Sequence, residues 1–130
     1  MSWVTDFAKL IPFAERLGID ITEASAEVVR GRVDWAADLT TTGGSLHGGL
    51  LMSLADTTGA VCAFLNLPEG AQGTTTIESK TNFLRGVREG HVVGASTPLH
   101  TGRRVIVVET ELRDAAEKLI AKVTQTQAVL

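Results

Sequence analysis

The sequence predicts an α+β fold in which one helix packs against an antiparallel sheet. Three observations predict it. An alternating stretch ends at Trp35, a long apolar stretch runs over residues 46–67, and four β-rich stretches joined by short connections follow. Strands that arrive one after another with short turns between them pair as neighbours, antiparallel. A single helix inserted after the first strand must then bury itself against that sheet. At 130 residues, with 44% hydrophobic content, the chain has the length and apolar content for one domain spanning 1–130.

The N-terminal residues 2–11 space Trp3, Phe7, Leu10 and Ile11 as a short amphipathic helix does. Pro12 is expected to interrupt it, and Phe13, Ala14 and Leu17 continue an apolar face as far as Gly18, a helix stop. From Ile19 to Trp35 the period becomes two: Val29, Gly31, Val33 and Trp35 share one face, and Arg30, Arg32 and Asp34 the other. This reads as one half-buried strand. A Thr-rich loop closes on Gly43-Gly44-Ser45.

Gly48 and Gly49 open the central segment, and Asn66-Leu67-Pro68 closes it. Leu50, Leu51, Leu54, Ala55, Cys62 and Leu65 cover one side of a helix there; Met52, Gly59, Ala60 and Ala63 cover the other. A helix apolar all round is expected to be buried all round, so a sheet should wrap it. Residues 74–84, 91–101, 104–113 and 118–129 supply four more strands, five in all.

Composition narrows the function. A formal charge of −3 disfavours a nucleic-acid surface, and the absence of Tyr disfavours a base-stacking platform. The lone Cys62 cannot form an internal disulfide, the N-terminus lacks the pattern of a secretory leader, and Asp56 and His47 interrupt the apolar segment. A cytoplasmic chain with no membrane association is the expectation. His47, His91 and His100 show no metal-binding spacing, so no metal is expected.

Two features of the central segment carry chemistry. A carboxylate at Asp56 in a buried helix is costly unless paired or protonated, and burial would raise its pKa toward that of a general base. Structural hydrogen-bond networks also hold such residues. The Gly48-Gly49 step lets a ligand approach the first N–H groups of the helix, which lack internal partners and sit at the positive end of the dipole. They can hold a developing oxyanion, although glycine pairs are also common in plain turns. Eight residues separate Gly48 from Asp56, about 12 Å along one helix. Both cannot reach one reacting carbonyl from the same helix. If both act, Gly48 of one subunit must meet Asp56 of another, as a twofold dimer with antiparallel helices would allow. Arg85, Arg88, Arg103 and Arg104 lie near turns in an otherwise acidic chain and could hold phosphates.

The string Leu46-His47-Gly48-Gly49-Leu50-Leu51-Met52-Ser53-Leu54-Ala55-Asp56-Thr57 resembles the PaaI-like (phenylacetate-pathway type) hotdog thioesterases, with His-Gly-Gly followed by an acidic residue nine positions after the His. The stretch Thr76-Ile77-Glu78-Ser79-Lys80-Thr81-Asn82-Phe83-Leu84-Arg85 and the turn Thr101-Gly102-Arg103-Arg104 are similar to the same family, over about residues 20–130. The resemblance implies the hotdog fold, a long central helix wrapped by a five-stranded antiparallel sheet. It also implies homodimers that often pair into homotetramers and a site at the dimer interface. It implies acyl-CoA thioesterase activity with Asp56 as general base or nucleophile. The Gly48 N–H would polarise the carbonyl, with Gly49 beside it and His47 positioning the turn. One of Thr74 to Thr76, with Thr76 the first choice, would hold the attacking water or the Asp56 carboxylate, and Arg85 with Arg103 or Arg104 would meet the coenzyme A phosphates. No cofactor is implied, because coenzyme A belongs to the substrate. The chain departs from the pattern at Thr41, where many relatives carry Asn or Gln, at Ala60, where some carry Ser or Thr, and at Gly86, a common Pro. Thr41 is the candidate for the positioning role at its place. The rival readings are an acyl-CoA-binding module without catalysis and a hotdog hydratase or dehydratase. The second lacks its His-Phe-Pro-Gly and Asp-x-Asn-Pro patterns here.

Overall fold

The computed structural model describes residues 9–130, so most of the helix expected over residues 2–11 lies outside the described residues. Helix α1 spans Pro12–Leu17. Lys9 is helical, the chain leaves the helix at Leu10 and Ile11, and Pro12 opens α1 in its first turn, where its missing N–H costs nothing. Gly18 closes α1 in the left-handed region at φ 76°, a conformation that favours glycine.

Strands β1 (Asp20–Ala24) and β2 (Val29–Asp34) pair as an antiparallel hairpin. The sequence reading had placed one strand across this stretch. It breaks because Ser25 folds the chain back: its backbone N–H bonds Val28 O at 2.9 Å, and its Oγ accepts the N–H groups of Glu27 and Val28. Within β2 the expected alternation holds, with Val29, Gly31 and Val33 buried and the residues between them exposed.

Helix α2 spans Gly48–Phe64. Strands β3 (Thr74–Phe83), β4 (His91–Thr101), β5 (Val105–Asp114) and β6 (Leu119–Val129) complete a six-stranded sheet in the order β1-β2-β4-β5-β6-β3, antiparallel throughout. The hotdog arrangement predicted from sequence is present, with the hairpin supplying the sixth strand. Leu50, Leu51, Leu54 and Ala55 of α2 pack with Val33, Val92, Leu112 and Val123 of the sheet in one core cluster. The helix comes close because Gly31 and Gly94 carry no side chain: a Cβ on Gly31 would stand 2.6 Å from Thr58 Cγ2, and one on Gly94 3.4 Å from Leu54 Cγ. Thr58, Ser96 and Thr110 are buried in this region but satisfy one another, Ser96 Oγ lying 2.8 Å and 2.6 Å from the other two hydroxyls.

The sheet covers one side of α2 only. Met52, Asp56 and Phe64 are exposed and Ala60 is half-buried, a row at i, i+4 spacing along the uncovered side. The expectation of a helix buried all round therefore fails for this face of the single chain. Beside the row runs β3, the last strand of the sheet, whose outer edge pairs with no other strand among the described residues. Among the described residues no helix is long and apolar enough to cross a membrane.

Candidate active site

Asp56 sits midway along the open row of α2, exposed in the protomer, so the burial expected for it from sequence is absent in the single chain. Its Oδ1 accepts two hydrogen bonds: one from Thr76 Oγ1 at 2.8 Å and one from Gln125 Nε2 at 3.2 Å. Thr76 in turn accepts from Gln127 Nε2 at 2.6 Å. Thr76 and Gln127 are register partners between β3 and β6, which sets that last distance. Along β6 the residues Ala121, Val123, Gln125 and Gln127 all turn inward and are fully buried. The carboxylate opens onto a cavity of about 640 Å³ whose apolar wall includes Ile11, Phe13, Met52 and Ala60. Such a volume suits a small-molecule moiety. Gly59, one turn on from Asp56, gives the Gln125 amide its space; a Cβ there would overlap it.

The start of α2 is built from backbone. His47 is the N-cap residue, with φ −62° and ψ 135°, and its Nδ1 accepts the Gly49 N–H at 2.7 Å. Its carbonyl accepts from Leu50 and Leu51. The Gly48 N–H has no acceptor among the described residues, and it points out of the positive end of the helix. Gly48 lines a second cavity, of about 360 Å³, with Phe83, Leu84 and Arg85. The Phe83 ring covers this glycine, at 3.1 Å from where a Cβ would stand.

The loop leading to His47 is fastened at several points. His47 N–H bonds Leu39 O, and Leu46 N–H bonds Val87 O. Gly43 and Gly44 adopt φ of 86° and 81°, turning their carbonyls outward to Arg88 Nε and Trp35 Nε1. Arg88 thus braces the loop.

The sequence-predicted residues fall into groups. Asp56 and Thr76 share the first cavity; Gly48 and Arg85 line the second, with His47 and Gly49 at the same helix start. Thr41 is exposed on the loop, its N–H bonded to Ser45 O at 2.8 Å, and lines neither cavity. Arg103 and Arg104 are exposed in the β4–β5 turn, and Arg104 O accepts from Val129, which pairs with Thr74 at the start of β3. Arg85 follows the other end of β3, so roughly 30 Å of strand separates it from Arg104 in one protomer. Sequence reading missed Gln125 and Gln127. Their signal is parity: they continue the inward positions of Ala121 and Val123, where a polar side chain requires a partner. Cys62 is fully buried, and burial pushes its thiol up to about 11, which leaves it protonated and unreactive at neutral pH. Among the described residues no three His, Cys, Asp or Glu side chains come together as a metal-binding group.

A model of the thioesterase superfamily matches residues 43–121, more than half the chain and the whole of α2. The chain belongs to the thioesterase superfamily. It is similar to the 1,4-dihydroxy-2-naphthoyl-CoA hydrolase of Escherichia coli, 38% identical over 67% of this chain and 63% of that protein. Among solved structures it is similar to the thioesterase HI1161 of Haemophilus influenzae, with TM-score 0.91 and 27% identity over 98% of this chain and 90% of that one. The conserved protein PA5202 of Pseudomonas aeruginosa superposes with TM-score 0.83 at 38% identity, covering 91% and 93%. As a member of this superfamily the chain is a thioester hydrolase.

Proposed function

We propose that this chain is a PaaI-like thioesterase that hydrolyses an acyl- or aroyl-CoA at a site shared between two protomers. The observation that carries the proposal is the division of labour along α2. The carboxylate with its Thr76 partner opens into one cavity, and the free Gly48 N–H lines another. Both lie along the open side of one helix. A twofold axis that sets two such helices antiparallel brings Gly48 of one chain opposite Asp56 of the other. The unpaired edge of β3 offers a backbone ladder for the same association. The exposed side chains of Met52, Ile77 and Phe83 offer apolar area to bury. Antiparallel pairing also gathers Arg85 of one chain toward the Arg103-Arg104 end of the other, where a diphosphate and a ribose phosphate need cations.

In the reaction the thioester carbonyl accepts a hydrogen bond from Gly48 N–H, which strengthens as the oxygen gains charge. Asp56 either takes a proton from the attacking water or attacks the carbonyl itself and is freed by water in a second step. In both routes a C–O bond forms, the C–S bond breaks, and the thiolate leaves as coenzyme A with the proton returned to solvent or sulfur. The name of the Escherichia coli relative favours an aromatic acyl group, and the apolar wall beside Asp56 has room for one.

The test is thiol release followed with a disulfide dye across acyl-CoAs. The panel runs from acetyl through long-chain to phenylacetyl, benzoyl, hydroxybenzoyl and 1,4-dihydroxy-2-naphthoyl, with Asp56→Ala alongside. Turnover by the wild type that vanishes in the variant is the expected result. Saturable binding without thiol release would identify a binding module, and wild-type rates in Asp56→Ala would remove Asp56 from the mechanism.

A further inference from the structure

We propose that Gln125 and Gln127 are positioning residues for Asp56: they hold Oδ1 so that Oδ2 is the oxygen presented to the reacting carbonyl. The assignment rests on the reading of Asp56 as the catalytic carboxylate. Two amides on the inner face of β6, both fully buried, need a reason. Each leaves its Oε1 without a hydrogen-bond partner, and a buried carbonyl left unsatisfied destabilises the fold. A methionine in either place would fill a similar space without that cost.

The hydrogen-bond directions show what the amides secure. A carboxylate accepts only, so the single Thr76 O–H must be donated to Asp56 Oδ1. Thr76 Oγ1 can then only accept from Gln127, which fixes the NH₂ end of that amide at Thr76 and turns its Oε1 away. Gln125 is bound by the same logic, its NH₂ committed to Asp56 and its Oε1 turned toward Gly59. The two unpaired carbonyls are therefore the consequence of pointing both NH₂ groups at one carboxylate network. Such unsatisfied groups in a packed core call for a functional explanation.

The network also divides the carboxylate. Both of its donors reach Oδ1, and among the described residues no donor reaches Oδ2. Asp56 stands on an open helix face with two rotatable bonds. Among the described residues no other hydrogen bond fixes its orientation. Support from rigid strand positions is what keeps a catalytic group within reach of its target. Gln125 acts by direct contact with Asp56 and Gln127 acts through Thr76, so the two differ in how their loss should couple to Thr76.

The experiment compares Gln125→Met, Gln127→Met, Thr76→Val and the double variant Gln127→Met/Thr76→Val, reading kcat, KM and melting temperature for the preferred thioester. The expected result is a fall in kcat of about 10- to 100-fold for each methionine variant. KM should stay near wild type and the melting temperature should not fall. A purely structural role would lower activity only in step with melting. Because Gln127 acts through Thr76, adding Gln127→Met to Thr76→Val should cost nothing more. Thr76→Ser keeps the hydroxyl and should restore most of the rate. Wild-type kcat in both methionine variants, or losses that track melting, would overturn the proposal. Should Gln127→Met fail to fold, Thr76→Val cuts Gln127 off from Asp56 with both amides in place, and an unchanged kcat there removes Gln127 from the role; should Gln125→Met fail, Gly59→Ala displaces the Gln125 amide, and an unchanged kcat there removes Gln125. Crystal structures of the variants decide the question without turnover. A carboxylate rotated away from its wild-type orientation supports the role, and an unmoved Asp56 in every variant refutes it. A wild type that releases no thiol from any thioester would count against the proposed function alone.

Discussion

The start and the middle of helix α2 solve different problems by different means. At the start, the group proposed to act is a backbone N–H, and its surroundings are local. His47 caps its own helix two residues on, and the loop returns through the Leu39–His47 bond. At the middle, the group proposed to act is a side chain, and its surroundings are remote in sequence. Thr76 lies 20 positions beyond Asp56, and Gln125 lies 69 beyond it. A backbone donor is directed by the helix itself, whereas a carboxylate on an open face must be held by other strands. The difference explains why a short motif describes the first and only the folded sheet describes the second.

The largest test of this contrast removes one half at a time. Asp56→Ala should lower kcat by about 10²- to 10⁴-fold, the range of a lost acid–base group. Gly48→Pro should lower it by about 10²- to 10³-fold, the range of a lost oxyanion donor. Proline deletes the N–H yet suits the first position of a helix, and the extended His47 before it is compatible with a following proline. Neither variant alone should turn over, but subunits exchanged in an equal mixture should recover about a quarter of wild-type activity, because half the dimers then hold one intact site. No recovery under conditions where the subunits are shown to exchange would place both groups in the same chain's site.

A smaller effect sharpens the account of the middle. Gly59→Ala adds a methyl group where the Gln125 amide lies. Alanine improves helix propensity by about 1 kcal/mol, but overpacking costs about 1–3 kcal/mol, so stability should fall on denaturant titration. With Gln125 displaced, kcat should fall about tenfold. Wild-type kcat in Gly59→Ala would show that the Gln125 contact is dispensable.

The smallest effect concerns the covered side of the same helix. Cys62 ionises near 11 in the folded chain against an ordinary 9.0. Above 9.0 the unfolded chain loses a proton that the folded chain keeps, so this contribution is whole below 9.0 and is lost as pH rises to about 11. The loss should reach roughly 2–3 kcal/mol. It should show as a steeper alkaline decline in stability for the wild type than for Cys62→Ala, and equal declines would show that the thiol is not buried. A buried thiol should also leave a disulfide dye uncoloured by the native protein.

Much of this architecture was legible in the sequence, for definite reasons. Val29, Gly31 and Val33 alternate with charges, and the structure keeps that parity. The break at Ser25 was missed although the apolar alternation lapses at Glu23, Ser25 and Glu27, because a lapse in one face does not by itself separate a turn from an exposed stretch of strand; the short Ser hydrogen-bond motif makes the turn. Pro12 was legible as a break because a proline can open a helix but cannot continue one without losing a hydrogen bond. Asp56, Gly48 and Thr76 were legible as a motif and its distant partner. The exposure of Asp56 was not, since apolar residues around a helix do not say which neighbours a single chain supplies. Arg88 looked like an exposed cation near a turn and proves to brace Gly43 O. Gln125 and Gln127 were hidden among threonines in a β-rich segment, and only strand parity, known once the register is known, turns them inward.

The free N–H at Gly48 has a consequence for how this protein tolerates mutation. A codon change at Asp56 deletes the carboxylate whatever residue replaces it, except glutamate, which moves it. At Gly48 the donor survives every replacement but proline, because each other residue brings the same N–H to the same place. The obstacle to those replacements is the Phe83 ring, a side chain with room to turn since it is half exposed. In a saturation library, position 56 should therefore read as nearly invariant, and position 48 should read as graded by size, with proline as its one abrupt failure.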